Sequence, residues 1–278
     1  MSYSQYEKCK PTDSFRGAVG GYDPRNALNQ WAHRSCALSR FGPSKEISIL
    51  DAMAGPGKFG NMILEMNRNK VGGPKIKMSF NDARLEPLLG LQSSGAEVIH
   101  SDIRTLAVNS AFDIVIERFG LKDLPYGHLA NALDRIRNSL RLNGRLVIAD
   151  MFAVSEKTQE AAISIHAAEQ RFAGRNEAVD GICHIPTIEG WISALASSSF
   201  RASVRFTRAR GAIELSVFKS WLKSESEYVE KMDMLFSAIA DACNRQPNVA
   251  IEYGIKLAGT IEKTTISWPY AVIVGEKI

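Results

Sequence analysis

The chain has 278 residues, which at about 150 residues per domain means one large domain or two small ones, with room for a sizeable core. Hydrophobic residues make up 45% and charged residues 23%, a globular balance that excludes wholesale disorder. Lys plus Arg number 34 against 30 Asp plus Glu; the resulting net charge of +4 is spread along the chain, with no basic tract of the kind that forms a nucleic-acid or membrane-surface arm. The cysteines (Cys9, Cys36, Cys183 and Cys243) form no CxxC pair, which argues against structural zinc and against a disulfide framework. The N-terminal stretch is polar and lacks the apolar region of a secretory signal, and no apolar run approaches a membrane span. The expectation is a protein of a reducing, cytoplasmic setting, with no metal, no nucleic-acid partner and no membrane span.

Residues 1–22 carry little periodicity. Asp23-Pro24 reads as an N-cap followed by Pro at the first helical position, and a helix is predicted over 24–40, with Leu28, Trp31, Ser35 and Leu38 near one face. A strand is predicted at 47–50, a glycine turn at Gly55-Pro56-Gly57 and a helix over 58–68. Further strands are predicted at 76–80, 97–99, 112–116 and 145–149. Helices fall between them at 84–92 and along Leu129, Leu133, Ile136 and Leu140, the last stopped by Gly144. Strands separated by helices predict βαβ units and an open, Rossmann-like parallel sheet covered on both faces. Further on, helices are predicted over 155–173 and 187–198, β structure over 201–219 and a final strand at 271–274. Tyr228, Met232, Leu235, Phe236, Ile239 and Cys243 share one face of an amphipathic helix; that stripe suits core packing, a pocket wall or a homodimer contact.

The chemistry is signalled by Leu50-Asp51-Ala52-Met53-Ala54-Gly55-Pro56-Gly57-Lys58-Phe59-Gly60. A strand ends in an acid, glycines turn the chain, and a helix begins. Glycines let a backbone approach a ligand, and a helix N-terminus offers free N–H donors. Residues 55–60 also satisfy G-x-G-x-x-G, and Asp82 follows where a dinucleotide site places its ribose-binding acid, so a nicotinamide cofactor stays open on this motif alone. Three features favour another adenosine cofactor. Asp51-Ala52-Met53-Ala54 separates the strand from the first glycine, Asp102-Ile103 offers a polar and an apolar side chain after the third strand, and the fourth strand runs into Phe119-Gly120-Leu121-Lys122-Asp123.

With these residues, and with Leu140-Arg141-Leu142-Asn143-Gly144-Arg145-Leu146 before the fifth strand, the segment 46–152 resembles the class I S-adenosylmethionine-dependent methyltransferases, most closely the ubiquinone/menaquinone C-methyltransferase type. It departs from them at Met53, where the family has its first glycine, and at Asn143, which replaces a glycine but belongs to a residue type that tolerates positive φ. The resemblance implies a mostly parallel seven-stranded sheet with helices on both faces and added helices capping the cleft. It implies an N-terminal helical lid at 1–45, a cofactor-binding core at 46–152, and a remainder, 153–278, that completes the sheet and carries a helical substrate cap at about 223–265.

S-adenosylmethionine is the implied cofactor and S-adenosylhomocysteine the product. Asp51, Ala52 and Met53 would lie near the methionine moiety, and Gly55 and Gly57 would let the backbone pass close. Asp82, with Ala83 beside it, would take both ribose hydroxyls; Asp102 would take the adenine amino group and Ile103 pack on the ring. Glu117 and Arg118 would stand at the transfer point, Arg118 touching the cofactor or an anionic substrate group, while Tyr22 would line the pocket. Candidate bases are Glu117, His128, His33, His166 and His184. The chain reads Ile116-Glu117-Arg118-Phe119 where DNA and glutamine amino-methyltransferases carry Asn/Asp-Pro-Pro-Tyr/Phe, so the expected acceptor is a small molecule of biosynthesis. Three alternatives stay open: a non-methylating use of the sulfonium such as cyclisation, a nicotinamide oxidoreductase, and a non-catalytic binding domain.

Overall fold

The computed structural model describes residues 24–69, 72–125, 127–172, 184–215, 225–258 and 263–278. Strands β1 (Glu46–Ala52), β2 (Lys75–Asp82), β3 (Glu97–His100), β4 (Phe112–Arg118) and β5 (Leu140–Met151) run parallel. Strand β6 (Phe200–Glu214) forms one edge, and β7 (Thr265–Lys277) lies between β5 and β6, antiparallel to both. The sheet order is β3-β2-β1-β4-β5-β7-β6. Chain order reverses between β1 and β4, because β1 feeds β2 on one side while β4 begins the other half. Ligands of open α/β sheets bind at the carboxyl ends of the strands at such a point. Register places Ala52 opposite Glu117 there.

The helices are α1 (Pro24–Ser35), α2 (Lys58–Arg68), α3 (Leu85–Ser93), α4 (Leu129–Ser139), α5 (Glu156–Phe172), α6 (Ile188–Ser197), α7 (Glu225–Arg245) and the short α8 (Asn248–Glu252). Among the described residues, no helix is long and apolar enough to cross a membrane. The central strands are apolar on both sides, so each alternates between two cores. Ile47, Ile49, Ile114 and Ile116 join Leu28, Ile63, Leu88, Ile165 and Leu235 on one face. Leu50, Ala52, Val115 and Ile148 join Leu133, Ile136, Trp191 and Leu195 on the other. The stripe of α7 packs inward, with Met232, Leu235 and Ile239 buried in the first core, so it serves core packing there.

The structure shifts several predicted boundaries. Helix α1 ends at Ser35 rather than 40, because Ala37 turns left-handed (φ +49°) and Leu38–Arg40 tightens into a 3-10 turn. Helix α4 ends at Ser139, before Gly144, because the amides of Ser110 and Ala111 donate to the carbonyls of Asn138 and Ser139 and draw the chain into β5. Asn143 has φ +59°, as a residue standing in for glycine must. Strand β7 is far longer than 271–274, since antiparallel pairing on both sides extends it. The Asp23 cap and residues 216–219 of the predicted β segment lie outside the described residues.

Gly57 sets the height of the glycine turn over the sheet. Its φ is +73°, and a Cβ there would lie 2.7 Å from Leu91 Cδ2 and 2.9 Å from Phe80 Cε1. Gly57→Ala should therefore lose about 2–3 kcal/mol from backbone strain and overpacking together. Gly90→Ala, in the interior of α3 with open space around it, should gain up to about 1 kcal/mol. Urea unfolding of the two variants checks both signs.

Candidate functional site

The site is built at the ends of β1, β2, β3 and β4. Beyond Ala52 the chain passes through Met53 (φ +54°), Gly55 (φ +53°) and Gly57 before α2 begins. Gly57 caps α2 without a side chain, so Asp51 does the work from inside the sheet: Gly60 N–H donates to its Oδ2 at 2.8 Å. Asp51 is buried, and burial pushes its carboxyl up to about 7 against the pull of the Gly60 amide and Arg118. The turn is pinned to β2 by Ala54 N–H donating to Asn81 O (2.7 Å) and Gly55 N–H donating to Asp82 Oδ2 (2.8 Å). Asp82 Oδ1 accepts from Arg84 N at 2.9 Å. Space above Gly55 is open.

Asn81 has no place among the sequence candidates, yet it organises this corner. Fully buried, it sends Nδ2–H to Ile99 O and Ser101 O and so ties the end of β2 to the loop after β3. In that loop Asp102 caps the turn Ile103–Thr105 and receives both the backbone amide and the forked guanidinium of Arg104. Those bonds hold its carboxyl below the usual range. Ile103 is 2% exposed, its side chain in the second core. Ala83 is exposed, its carbonyl accepting from His100 Nε2 at 3.1 Å. Arg104 Nη1 donates to His128 Nδ1 at 3.1 Å, so His128 joins the Asp102 corner.

On the other side of the reversal, Glu117 is 0% exposed. Its Oε1 accepts from Gly120 N and Leu121 N, and its Oε2 is buried with no hydrogen-bond partner. Burial, then the charge of Asp150, lifts its carboxyl well above the usual range. Asp150 itself is raised to about 6 by burial. A Cβ on Gly120 would meet Met53 Cβ at 2.9 Å and Glu117 Oε1 at 3.0 Å, so Met53, Gly120 and Glu117 pack as one wall. Phe119 before them is left-handed too (φ +62°). Arg118 points to the opposite face: it lies over the rings of Phe59 (5.4 Å) and Phe119 (5.3 Å) and donates to Asn29 Oδ1 at 3.0 Å, joining α1 and α2 to β4.

Behind this wall runs a polar cluster whose assembly the sequence did not signal, although His166 stood among the candidate bases. Lys122 Nζ donates to Phe119 O and Asp123 Oδ1. His166 Nε2 is 3.0 Å from the same Asp123 oxygen, and Nδ1 is 3.2 Å from Glu169 Oε2. Burial alone would lower His166, but the two carboxylates lift it above its usual value. A carboxylate facing each nitrogen favours the charged imidazolium, which makes the ring less available as a proton acceptor. His184 donates its backbone N–H to Lys122 O, and burial lowers its ring. His33 lies on α1, and Tyr22 lies outside the described residues. Apart from the His166–Glu169 pair at i, i+3, no sequence spacing could have exposed this cluster, since Lys122, Asp123, Asp150, His166 and Glu169 come from three elements that only the fold brings together.

No protein-family model and no curated protein matches the sequence. Solved structures do. The chain is similar to the YcgJ protein of Bacillus subtilis, at TM-score 0.66 and 14% identity over 91% of this chain and 98% of that one. It is similar to a candidate methyltransferase of Bacillus halodurans C-125, at TM-score 0.60 and 13% identity over 87% and 98% of the two chains. A candidate sarcosine dimethylglycine methyltransferase of Galdieria sulphuraria follows, at TM-score 0.55 and 11% identity over 95% and 97%.

Asp51 makes stability depend on pH. Its folded-state value of about 7 stands above the ordinary 3.8, so its contribution is fully present below pH 3.8 and is lost as pH rises through 7. The slope across that window is about 1.4 kcal/mol per pH unit for this one group. Asp51→Asn should therefore flatten the fall in urea midpoint between pH 4 and 7, and an unaltered slope would assign the fall elsewhere. The seven-stranded, mostly parallel sheet and its helices give the chain the open, Rossmann-like α/β fold of these solved structures.

Proposed function

We propose that this chain is an S-adenosylmethionine-dependent methyltransferase acting on a small molecule. The observation that carries the reading is the glycine turn at the reversal of strand order, with the buried Asp51 behind it and the Asp82 carboxylate closed on the Gly55 amide. The residues fit the cofactor. Gly55 has open space where a side chain would stand, and Glu117 Oε2 is a buried oxygen lacking a partner, suited to a cationic ligand. The segments Leu50–Gly57, Phe119–Asp123 and Leu140–Leu146 favour the ubiquinone/menaquinone C-methyltransferase type within that class.

The bound cofactor supplies an electrophilic methyl group on a sulfonium, so the protein needs no strong electrophile of its own. What remains for the chain is to hold, align and exclude water. Asp82 turns its carboxylate from the Gly55 amide toward the two ribose hydroxyls, with Ala83 beside it. The Asp102–Ile103 turn frames the adenine, Arg104 sharing the Asp102 carboxylate and His128 steadying Arg104. Asp51, Ala52 and Met53 face the methionine moiety. Arg118, held between Phe59 and Phe119, offers its guanidinium to a carboxylate of cofactor or substrate. Glu117 stands nearest the transfer point as proton acceptor for an O–H, N–H or C–H acceptor. Residues 46–152 act as the cofactor core and about 223–265 as a cap on the substrate; of the lid expected at 1–45, Tyr22 lies outside the described residues, and from Leu28 onward α1 packs into the first core.

Calorimetric titration with S-adenosylmethionine, S-adenosylhomocysteine and NAD(H) tests the reading. The sulfur cofactors should bind at roughly micromolar levels, in the usual range for enzyme ligands. Asp82→Ala should weaken them at least ~10-fold, since hydrogen bonds to a charged group contribute about 1.5–3 kcal/mol. Binding of NAD(H) alone would make the chain an oxidoreductase.

A further inference from the structure

Glu117 has half of its hydrogen-bonding capacity unused in a place where that is costly. Its Oε1 is satisfied by the amides of Gly120 and Leu121, whereas Oε2 is buried without a partner. Among the described residues no cation bonds to Oε2, although the Lys122 charge acts on the carboxyl through space and pulls against its upward shift. Met53 and Gly120 close the side toward β1. From β5, Asp150 brings a like charge. From the turn after β4, Lys122 gives its ammonium to Phe119 O and Asp123, and from α5 His166 is held by Asp123 and Glu169. Asp51 and Arg118 serve the opposite face, toward α2 and α1. Desolvation and a neighbouring carboxyl both favour the protonated acid, as the upward shift of Glu117 agrees. A cation arriving at the crevice between β1 and β4 would reverse the balance, because it is what a buried carboxylate otherwise lacks.

Resting on the cofactor reading above, we propose that Glu117 is a proton store keyed to the charge on the cofactor's sulfur. It holds a proton in the ligand-free protein, releases it to solvent when a sulfonium ligand occupies the crevice, and keeps it when the sulfur is a neutral thioether. The proton balance of a turnover then closes on this residue. As the methyl carbon leaves sulfur, the C–S electron pair returns to sulfur as a thioether lone pair, and a new bond forms from the acceptor's electron pair to the methyl carbon. The proton the acceptor loses passes to the Glu117 carboxylate, which restores the protonated acid with which the free protein began. The one proton lost overall is the one released when the sulfonium bound.

The test is proton counting by calorimetry at pH 7 in two buffers of unlike ionisation enthalpy, with S-adenosylmethionine and S-adenosylhomocysteine as ligands. The two share the same amino and carboxyl groups, so those groups cancel in the comparison. Wild type should release about one more proton with the sulfonium than with the thioether. Glu117→Gln keeps an oxygen for the Gly120 and Leu121 amides but cannot titrate, and should show equal counts. Equal counts in wild type, or a difference that survives in Glu117→Gln, overturn the proposal while leaving the cofactor reading intact; binding of neither ligand overturns both. Should the variant fail to fold, wild type alone decides. Its preference for the sulfonium over the thioether should widen by up to about tenfold per pH unit while Glu117 is protonated, and a preference that stays flat with pH overturns the assignment.

Discussion

The bond from the Gly60 amide to the Asp51 carboxylate joins the two halves of the site. It runs from the first turn of α2 into the end of β1, and it stands where a side-chain cap would otherwise stand at Gly57. A carboxyl group at a helix N-terminus is favoured by the amides and dipole it faces. Here it is also fully buried, so the bond fixes the helix entry and the strand end at a single point. Gly60 must be glycine for this contact, since a Cβ would fall 2.8 Å from Asp51 Oδ2 and 2.7 Å from Phe80. The path of the glycine turn follows, and with it the approach of Gly55 to Asp82.

Around that bond the protein gathers acids without bonding them to cations. Asp51, Glu117 and Asp150 are all fully buried, and all three are shifted toward their neutral forms. The nearby cations bond to other groups, Arg118 to Asn29 and two aromatic faces and Lys122 to Asp123, and act on the buried acids through space. Such buried acids are an expensive way to fill a core. Protonation relieves that cost in each case, since a neutral carboxyl needs no counter-charge.

The backbone is strained at the same place. Met53 and Phe119 are both left-handed without being glycine, and both stand just past strands that are neighbours in the sheet. Each such residue costs on the order of 1 kcal/mol or more, and persists only where its surroundings over-determine it. The surroundings suffice: a fully buried Ile or Leu stabilises by about 1.5–3 kcal/mol, and β1 and β4 together bury Ile47, Ile49, Leu50, Ile114, Val115 and Ile116. Met53 takes the conformation a glycine would take, and its side chain becomes part of the wall against Gly120. Met53 thus adds a side chain to the lining while following a backbone path that glycine adopts more readily.

The sequence by itself determined the strands and helices, because each carries its own period. Apolar runs such as Ile47–Leu50 and Phe112–Ile116 mark buried parallel strands, and the stripe from Met232 to Ile239 marks a helix packed inward. It also determined the glycine turn and the acids at the strand ends, since φ preference and strand termination are local properties. The boundaries of α4 and β7 were decided by tertiary structure, through the Asn138 and Ser139 carbonyls taken by the loop before β4 and through pairing of β7 on both sides. So were the partners of the site residues. Nothing local brings Asn81 to Ser101, Arg104 to His128, or His166 to Asp123 and Glu169. Whether Glu117 meets water, a cation or another acid depends on β5, α5 and the glycine turn closing around it. Charge states are set by surroundings of this kind, and surroundings are assembled only when distant segments pack.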